Sequence, residues 1–148
     1  MPSARSLAWA LGAATKYKRN ETLVTKKEDI IQDYLNDYNQ KDVDAMLTHF
    51  AEDVIFESVS NTNGVIRTMN KDELRKLAKI SVDYLSERRQ TVLGWVINDD
   101  KVAIEIDYWC KVAKDLPNGK KAGEEMTLRG ASFFTIKDGL IKKLVDYM

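Results

Sequence analysis

The segment Thr127–Met148 reads TLRGASFFTI (127–136), KDG (137–139) and LIKKLVDYM (140–148). Apolar and β-branched residues on both sides of an Asp-Gly pair predict two antiparallel strands joined by a tight turn. The second strand carries the carboxylate Asp146 between Val145 and Tyr147. Because a carboxylate is costly to remove from water, Asp146 must be exposed, be paired, or have a raised pKa that suits a base. The environment of Asp146 therefore decides which functions are open to the chain.

Period-two alternation predicts an antiparallel meander upstream of and including this hairpin. Its four strands are Gln90–Ile97, Lys101–Val112, Ala122–Ile136 and Leu140–Tyr147. In the second strand, Ile104, Ile106 and Tyr108 share an apolar face. Glu105 and Asp107 resemble a carboxylate pair by their spacing, but they fall on the opposite face. We therefore expect them to point away from the interior.

Helical periodicity marks three segments upstream of the meander. Thr25 and Glu28 predict a capping box at the start of a long helix, and Asp42 caps a shorter helix. Asn70 and Glu73 cap a third helix. These three amphipathic helices must cover the apolar face of the sheet.

Two further features complete the predicted fold. The second helix is expected to extend its apolar face to Phe50, and VIFES (Val54–Ser58) predicts a strand followed by the loop SNTNG (60–64). The elements together predict an α+β fold in which a curved antiparallel sheet wraps around three helices. Such a fold tends to leave a cavity for a small ligand between its layers.

Composition limits the classes of function. A chain of 148 residues with 44% hydrophobic content fits one domain. Lysine and arginine total 23, as do aspartate and glutamate, so no net positive field favours nucleic acid as a partner. The single cysteine, Cys110, excludes an intramolecular disulfide and fits a reducing, cytoplasmic location. His49 is the single histidine, with no cysteine near it in sequence, so we expect no metal site.

Residues 1–24 form a basic leader ahead of a single domain at residues 25–148. Its apolar stretch Leu7–Ala14 is at the short limit for the core of a secretory signal, and no stretch reaches transmembrane length. We expect an extra N-terminal helix that starts near Ser3, with solvated charges and no membrane partner.

Two segments resemble a known family. YLNDYNQKDVDAMLTHFAEDVIFES (34–58) and TLRGASFFTIKDGLIKKLVDY (127–147) are similar to the nuclear transport factor 2-like superfamily of cone-shaped α+β barrels, and within it to the SnoaL-like polyketide cyclase and ketosteroid isomerase branches. The resemblance implies a homodimer formed through the outer sheet face and no need for a metal or cofactor. The scaffold hosts isomerases, cyclases, dehydratases, epoxide hydrolases and plain binding modules, so it does not fix the function.

The ketosteroid isomerase pattern matches in part. Tyr34 falls at the position of that branch's oxyanion tyrosine. The position of its base holds Ser58, and the position of its protonated acid holds Ser132. A serine cannot abstract a carbon-bound proton without a base of its own, so steroid-type isomerisation is disfavoured.

The SnoaL-like cyclase pattern instead uses an acid late in the final strand, which Asp146 matches, while its histidine position holds Ser132. An aspartate in an apolar cavity can act as a general base, and the hydroxyls of Tyr34 and Tyr108 can stabilise the oxyanion that forms. The expected activity is enolisation, ring closure, isomerisation or dehydration of a small apolar carbonyl compound. The residues expected to line the pocket are Tyr34, Ser58, Ile104, Ile106, Tyr108, Ser132 and Phe134.

Alternatives remain open at this point. Asp146 could be structural, which would leave a non-catalytic binding or interaction module. An epoxide hydrolase would need paired aspartates and an inward arginine, whereas Arg129 is predicted to point outward. On that outer face, Trp109, Ala131 and Phe133 form an apolar patch that favours a homodimer.

Overall fold

The computed structural model describes residues 26–148, so the predicted leader helix and Thr25 lie outside the described residues. Within this part the elements are α1 (Lys27–Asn39), α2 (Val43–Leu47), β1 (Phe50–Ser60), β2 (Gly64–Thr68), α3 (Lys71–Asp83), β3 (Leu85–Asn98), β4 (Lys101–Val112), β5 (Glu125–Lys137) and β6 (Leu140–Tyr147). The predicted α+β fold is confirmed: three helices pack against one curved six-stranded sheet in the described residues. None of these helices is long and apolar enough to cross a membrane.

The sheet is mixed rather than wholly antiparallel. Its strand order is β2-β1-β6-β5-β4-β3, and β3 to β6 form the predicted antiparallel meander. The last strand, β6, lies between β5 and β1, and it runs parallel to β1. Strand β2 pairs with β1 over Gly64–Thr68, a segment that the sequence does not mark as a strand. Four of its five residues are exposed, so it lacks the alternation that identifies a half-buried strand.

The predicted turns and most caps are confirmed. Asp138 and Gly139 both have positive φ, as a two-residue hairpin turn between β5 and β6 requires. The Asp42 carboxylate accepts a hydrogen bond from the Ala45 N–H at 3.1 Å. The Asn70 side chain likewise accepts from the third residue of its helix. These contacts satisfy backbone donors that a helix start leaves unpaired.

The predicted start of α1 and end of α2 are wrong. Helix α1 has Lys26 as its N-cap, in extended conformation and with no side-chain capping bond, so Glu28 stands one position too early for a capping box. Helix α2 ends at Leu47, and Phe50 begins β1 instead of extending the helix. Phe50 is still buried, so in the sequence its apolar side chain continues the pattern of the buried helix face although it belongs to a strand.

The core lies between the helices and the inner face of the sheet. The parity predicted for β4 is confirmed, since Ile104 and Ile106 are buried whereas Glu105 and Asp107 are exposed. From the helices, Ile31 and Leu35 of α1 enter the same cluster. The helices thus cover the apolar side of the sheet, as amphipathic elements must.

The end of β6 crosses Gly130 closely. A Cβ added at Gly130 would lie 2.5 Å from the Tyr147 carbonyl oxygen and 2.7 Å from the Met148 side chain. Gly130 therefore gives the chain around Met148 the space to lie against β5. In contrast, an added Cβ at Gly94 would meet no atom within 4 Å.

We expect Gly130→Ala to lower the free energy of unfolding by about 1–3 kcal/mol, as overpacking does, because the clash is with backbone. Gly94→Ala is the matched control in a neighbouring part of the sheet and should cost little. Urea denaturation of both variants checks this, and equal stability of the two would contradict the close approach.

Candidate functional site

A cavity of about 260 Å³ lies between the helices and the inner face of the sheet. Its walls are mostly apolar, with a few polar groups among them, which is typical of a site for a small ligand. The lining residues are Tyr34, Tyr38, Met46, Phe50, Phe56, Ser58, Ile66, Leu74, Leu77, Ala78, Ser81, Arg88, Tyr108, Leu144, Asp146 and Met148.

Asp146 reaches this cavity because of the register of β6. Ser58 on β1 and Ser132 on β5 are its two cross-strand partners, so the three side chains share the inner face. The Ser132 hydroxyl donates a hydrogen bond to Asp146 Oδ1 at 2.6 Å. Removal from water raises the pKa of Asp146 to about 6, and the Ser132 hydrogen bond offsets part of that rise. At neutral pH Asp146 is thus a carboxylate whose affinity for protons is well above that of an exposed aspartate.

Three tyrosines line the same cavity as Asp146. The Tyr34 ring lies 6.1 Å from that of Tyr38, which lies 6.5 Å from that of Tyr108. Burial raises the pKa of Tyr34 well above its usual value, and the charge of Asp146 raises it further. Burial raises the pKa of Tyr108 in the same way. These phenols therefore stay neutral and can donate hydrogen bonds to a ligand oxygen.

Arg88 brings a permanent positive charge to the same cavity. It projects inward from β3, is only 5% exposed, and lies on the cavity wall. Its Nε donates to the Tyr38 carbonyl oxygen at 2.7 Å, and its guanidinium lies 3.5 Å from the centre of the Tyr38 ring. The Nη2 atom is buried and has no hydrogen-bond partner. The cavity thus contains one arginine with donor capacity to spare.

The end of α1 fixes the strand that carries Arg88. Asn39 accepts a hydrogen bond from the Gln90 N–H at 2.8 Å and donates to the Gln90 carbonyl oxygen at 3.3 Å. The Lys41 ammonium donates to the Leu85 carbonyl oxygen at 2.6 Å. These contacts on both sides of Arg88 hold β3 against the helix, so the guanidinium is positioned before any ligand arrives.

The residues expected to line the pocket fall into two groups. Tyr34, Ser58 and Tyr108 lie on the cavity wall with Asp146. Ser132 is buried beside the wall and acts through its bond to Asp146.

The other expected lining residues, Ile104, Ile106 and Phe134, are buried but are not among the residues that line this cavity. Strand parity gives the face of the sheet and not the depth below its surface, so these residues share the inner face with Asp146 while their role in ligand binding stays a prediction. The ring of Phe134 packs at 6.0 Å from that of Tyr34, and helix α1 covers this part of the sheet.

Arg88 is the main residue of the site that sequence reasoning misses. The predicted strand starts at Gln90, which leaves Arg88 in a connection, whereas β3 starts at Leu85. Arg88 shares its parity with Gln90, and both are buried. The available signal is thus the pair Arg88-Arg89, since any strand through it must turn one arginine inward.

The other titratable side chains singled out in the sequence, His49 and Glu105, do not line the cavity. His49 Nε2 lies 2.7 Å from Asp37 Oδ2, a contact between the residue just before β1 and helix α1 that the sequence does not reveal. On the outer face, Glu105 pairs with Arg129 at 3.0 Å, so both point outward as predicted. Within residues 26–148, no group of three or more His, Cys, Asp or Glu side chains is placed to hold a metal ion.

The fold is an α+β fold of the nuclear transport factor 2-like type, and the sequence identifies its branch. A profile of the SnoaL-like domain matches residues 31–144. The chain belongs to the SnoaL-like domain family. A comparison with curated proteins finds no match.

Solved structures share this fold at low sequence identity. The chain is similar to a candidate polyketide cyclase from Xanthomonas campestris pv. campestris, with 23% identity, a TM-score of 0.68, and coverage of 82% of this chain and 88% of that one. The chain is also similar to a protein of ketosteroid isomerase-like fold from Catenulispora acidiphila, in complex with trimethylamine. The identity is 16% and the TM-score 0.68, and the match covers 83% of this chain and 87% of that one. An LEH-like epoxide hydrolase from M. tuberculosis is similar at 14% identity and a TM-score of 0.64, and the match covers 80% of this chain and 79% of that one.

The raised pKa of Asp146 has a consequence for stability. In the unfolded chain this aspartate loses its proton near its ordinary pKa of 3.8, whereas the folded protein holds the proton to about pH 6. Between these values the unfolded state becomes charged first, so stability falls as pH rises through this window. Below it, both states are protonated and there is no penalty.

We therefore expect Asp146→Asn to raise the free energy of unfolding by up to about 3 kcal/mol at neutral pH, and the gain to vanish below about pH 4. Urea denaturation across this range measures it. Asp107→Asn, on the exposed face of β4, is the control without such a profile. A pH-independent effect of Asp146→Asn would contradict the raised pKa.

Proposed function

We propose that this protein is a cofactor-independent enzyme that moves a proton on a small, mostly apolar carbonyl compound, with Asp146 as general base. The observation that carries the proposal is the Asp146 carboxylate itself, which faces an apolar cavity with a pKa raised to about 6 and a single side-chain hydrogen bond to Ser132. A base poised near the working pH combines a high deprotonated fraction with proton affinity.

The chemistry follows from this arrangement. Asp146 accepts a proton from a carbon next to the substrate carbonyl, and the electron pair of that C–H bond moves to form an enolate. The neutral Tyr34 phenol donates a hydrogen bond to the enolate oxygen, where the negative charge develops. The enolate then attacks within the substrate, expels a leaving group, or takes the proton back at another carbon. Ring closure, elimination and isomerisation are the three outcomes.

The structural neighbours support this class of chemistry. The similar protein from Xanthomonas is described as a candidate polyketide cyclase, and the one from Catenulispora is in complex with a small ligand. Because identities are below 25%, these neighbours support the fold and a small-molecule role, while the choice of reaction rests on Asp146.

Epoxide hydrolysis is the second candidate. Arg88 supplies the inward arginine that this activity needs, which corrects the expectation based on Arg129 alone. Asp146 is the only carboxylate among the described residues of the cavity wall, so the second aspartate is missing. Proton transfer by Asp146 therefore ranks first.

The test uses turnover of compounds found by a thermal-shift screen of small carbonyl compounds, lactones, terpenoids and epoxides. Asp146→Asn removes the proton acceptor and keeps the size of the side chain, so turnover should fall about 10²- to 10⁴-fold with little change in ligand affinity. In the native protein kcat/KM should rise with pH through about 6 and then level off, because the base must be deprotonated.

Asp107→Asn is again the matched control and should keep native turnover. Compounds that bind native protein and Asp146→Asn equally, with no conversion by either, would favour a non-catalytic binding module. Turnover that survives in Asp146→Asn would eliminate the aspartate as the base.

We also propose a homodimer formed through the outer sheet face. Phe133 is 50% exposed and packs at 5.6 Å against the ring of Tyr147, which is 46% exposed. Trp109, predicted to belong to this patch, donates a hydrogen bond to Glu125, and the Arg89 guanidinium lies over its ring. The exposed apolar surface on this face is therefore centred on Phe133 and Tyr147. Exposed aromatic pairs of this kind favour contact with a second protein surface.

Phe133→Glu should convert the dimer to a monomer at micromolar concentration, because it places a charge at the centre of the contact. Sedimentation velocity measures this, with Ile80→Glu, at an exposed apolar residue of helix α3, as the control that adds the same charge away from the sheet face. A native chain that is monomeric at these concentrations would eliminate the proposal.

The proposed location is the cytoplasm. Cys110 is buried as a free thiol and is the single cysteine of the sequence, which fits a reducing compartment.

A further inference from the structure

We propose that Arg88 binds an anionic oxygen group of the ligand, and that the cavity takes small, mostly apolar monocarboxylates. This inference rests on the proposed function only in placing the ligand in the same cavity, and it adds the chemical class of the molecule that binds there.

The first support is the unsatisfied charge of Arg88. A guanidinium has five N–H donors and keeps its charge at all physiological pH values. Arg88 directs its Nε to the Tyr38 carbonyl and its flat face to the Tyr38 ring, which leaves the buried Nη2 without a partner. A buried donor left unpaired is costly, and more so when it is charged. Arg88 lines the cavity, so a small shift of its side chain lets a ligand acceptor pair with this donor and removes that cost.

The second support is the lack of a protein counter-ion. Arg67, Arg75 and Arg129 each pair with a carboxylate at the protein surface. Arg88 is more deeply buried than these three, yet no carboxylate among residues 26–148 lies within salt-bridge distance of it. The nearby Asp146 is bonded to Ser132 instead. A carboxylate supplied by the ligand completes the missing pair and matches the guanidinium in geometry.

The third support is the pattern of the remaining wall. Apart from Arg88 and Asp146, the wall presents aliphatic and aromatic side chains and a few neutral hydroxyls. A single cation surrounded by neutral donors suits one negative charge better than a doubly charged phosphate group. The negative Asp146 further disfavours a dianion. The ligand is thus an apolar body with one carboxylate at the Arg88 end and its reactive carbon at the Asp146 end.

The experiment compares acids with their own methyl esters. Isothermal titration of the full chain uses phenylacetate, 4-phenylbutyrate, cinnamate and octanoate, each beside its ester. We expect at least one acid to bind about 10- to 100-fold more tightly than its ester, the range of a charged hydrogen-bonded contact. If no acid in the panel is preferred over its ester, the inference is overturned.

Variants locate the preference. Arg88→Gln should abolish the difference between acid and ester, whereas Arg89→Gln, one residue along the strand and on the exposed outer face, should keep it. Arg88→Lys retains the charge and serves as a second variant, for which we expect an intermediate preference. An acid preference that survives unchanged in a folded Arg88→Gln protein would place the carboxylate elsewhere and overturn the inference.

Asp146→Asn separates this inference from the proposed activity. Loss of the Asp146 charge should leave the acid preference intact or increase it, because a negative neighbour is removed. If turnover is never found but the preference for acids depends on Arg88, the catalytic proposal fails and the ligand class stands. If turnover depends on Asp146 but neutral esters bind as well as acids, the reverse holds.

Discussion

The register of β6 between β1 and β5 is the constraint on which the site depends. The strand pairs parallel on one side and antiparallel on the other, and both pairings place Asp146 opposite a serine. A shift by one residue would turn Asp146 to the outer face and bring Val145 inward. The Asp138-Gly139 turn sets the pairing of Ile136 with Ile141, and a register shift of one residue between Thr135 and Ile136 then brings Ser132 opposite Asp146. Backbone pairing, including this irregularity, thus sets the position of Asp146 before any side-chain contact does.

The two charged groups of the cavity are kept apart from each other. Asp146 is bonded to Ser132, and Arg88 is bonded to the backbone of Tyr38. A direct salt bridge between them would lower the pKa of Asp146 and occupy the free side of the guanidinium. Their separation leaves a carboxylate with high proton affinity and an arginine with a free donor. Both properties fit the proposed role of the cavity as a ligand site.

The fold is predictable from sequence to the extent that burial leaves a periodic pattern. The alternation around Ile104 and Ile106 gives the inner face of β4 correctly, and the Asp-Gly turn gives the hairpin. Strand β2 leaves no such pattern because it is almost wholly exposed. For the site, the resemblance to the SnoaL-like branch points to Asp146, but its inward orientation depends on a register shift in the pairing of β5 with β6 that the sequence does not show. Depth along the face depends on how the helices pack, so Ile104 and Ile106 cannot be told from wall residues in the sequence. Arg88 is missed because a charged residue near a strand end is normally assigned to solvent.

The exceptions to good packing in this structure point to its purpose. Among the described residues, the buried side-chain atoms without a hydrogen bond are Thr68 Oγ1 and Arg88 Nη2, and of these two residues only Arg88 lies on the cavity. Asp146 on the same wall lowers stability at neutral pH by being desolvated. Selection for stability alone would replace both groups with apolar ones of similar size. The two costs meet in one cavity, which agrees with the proposal that binding or chemistry takes place there.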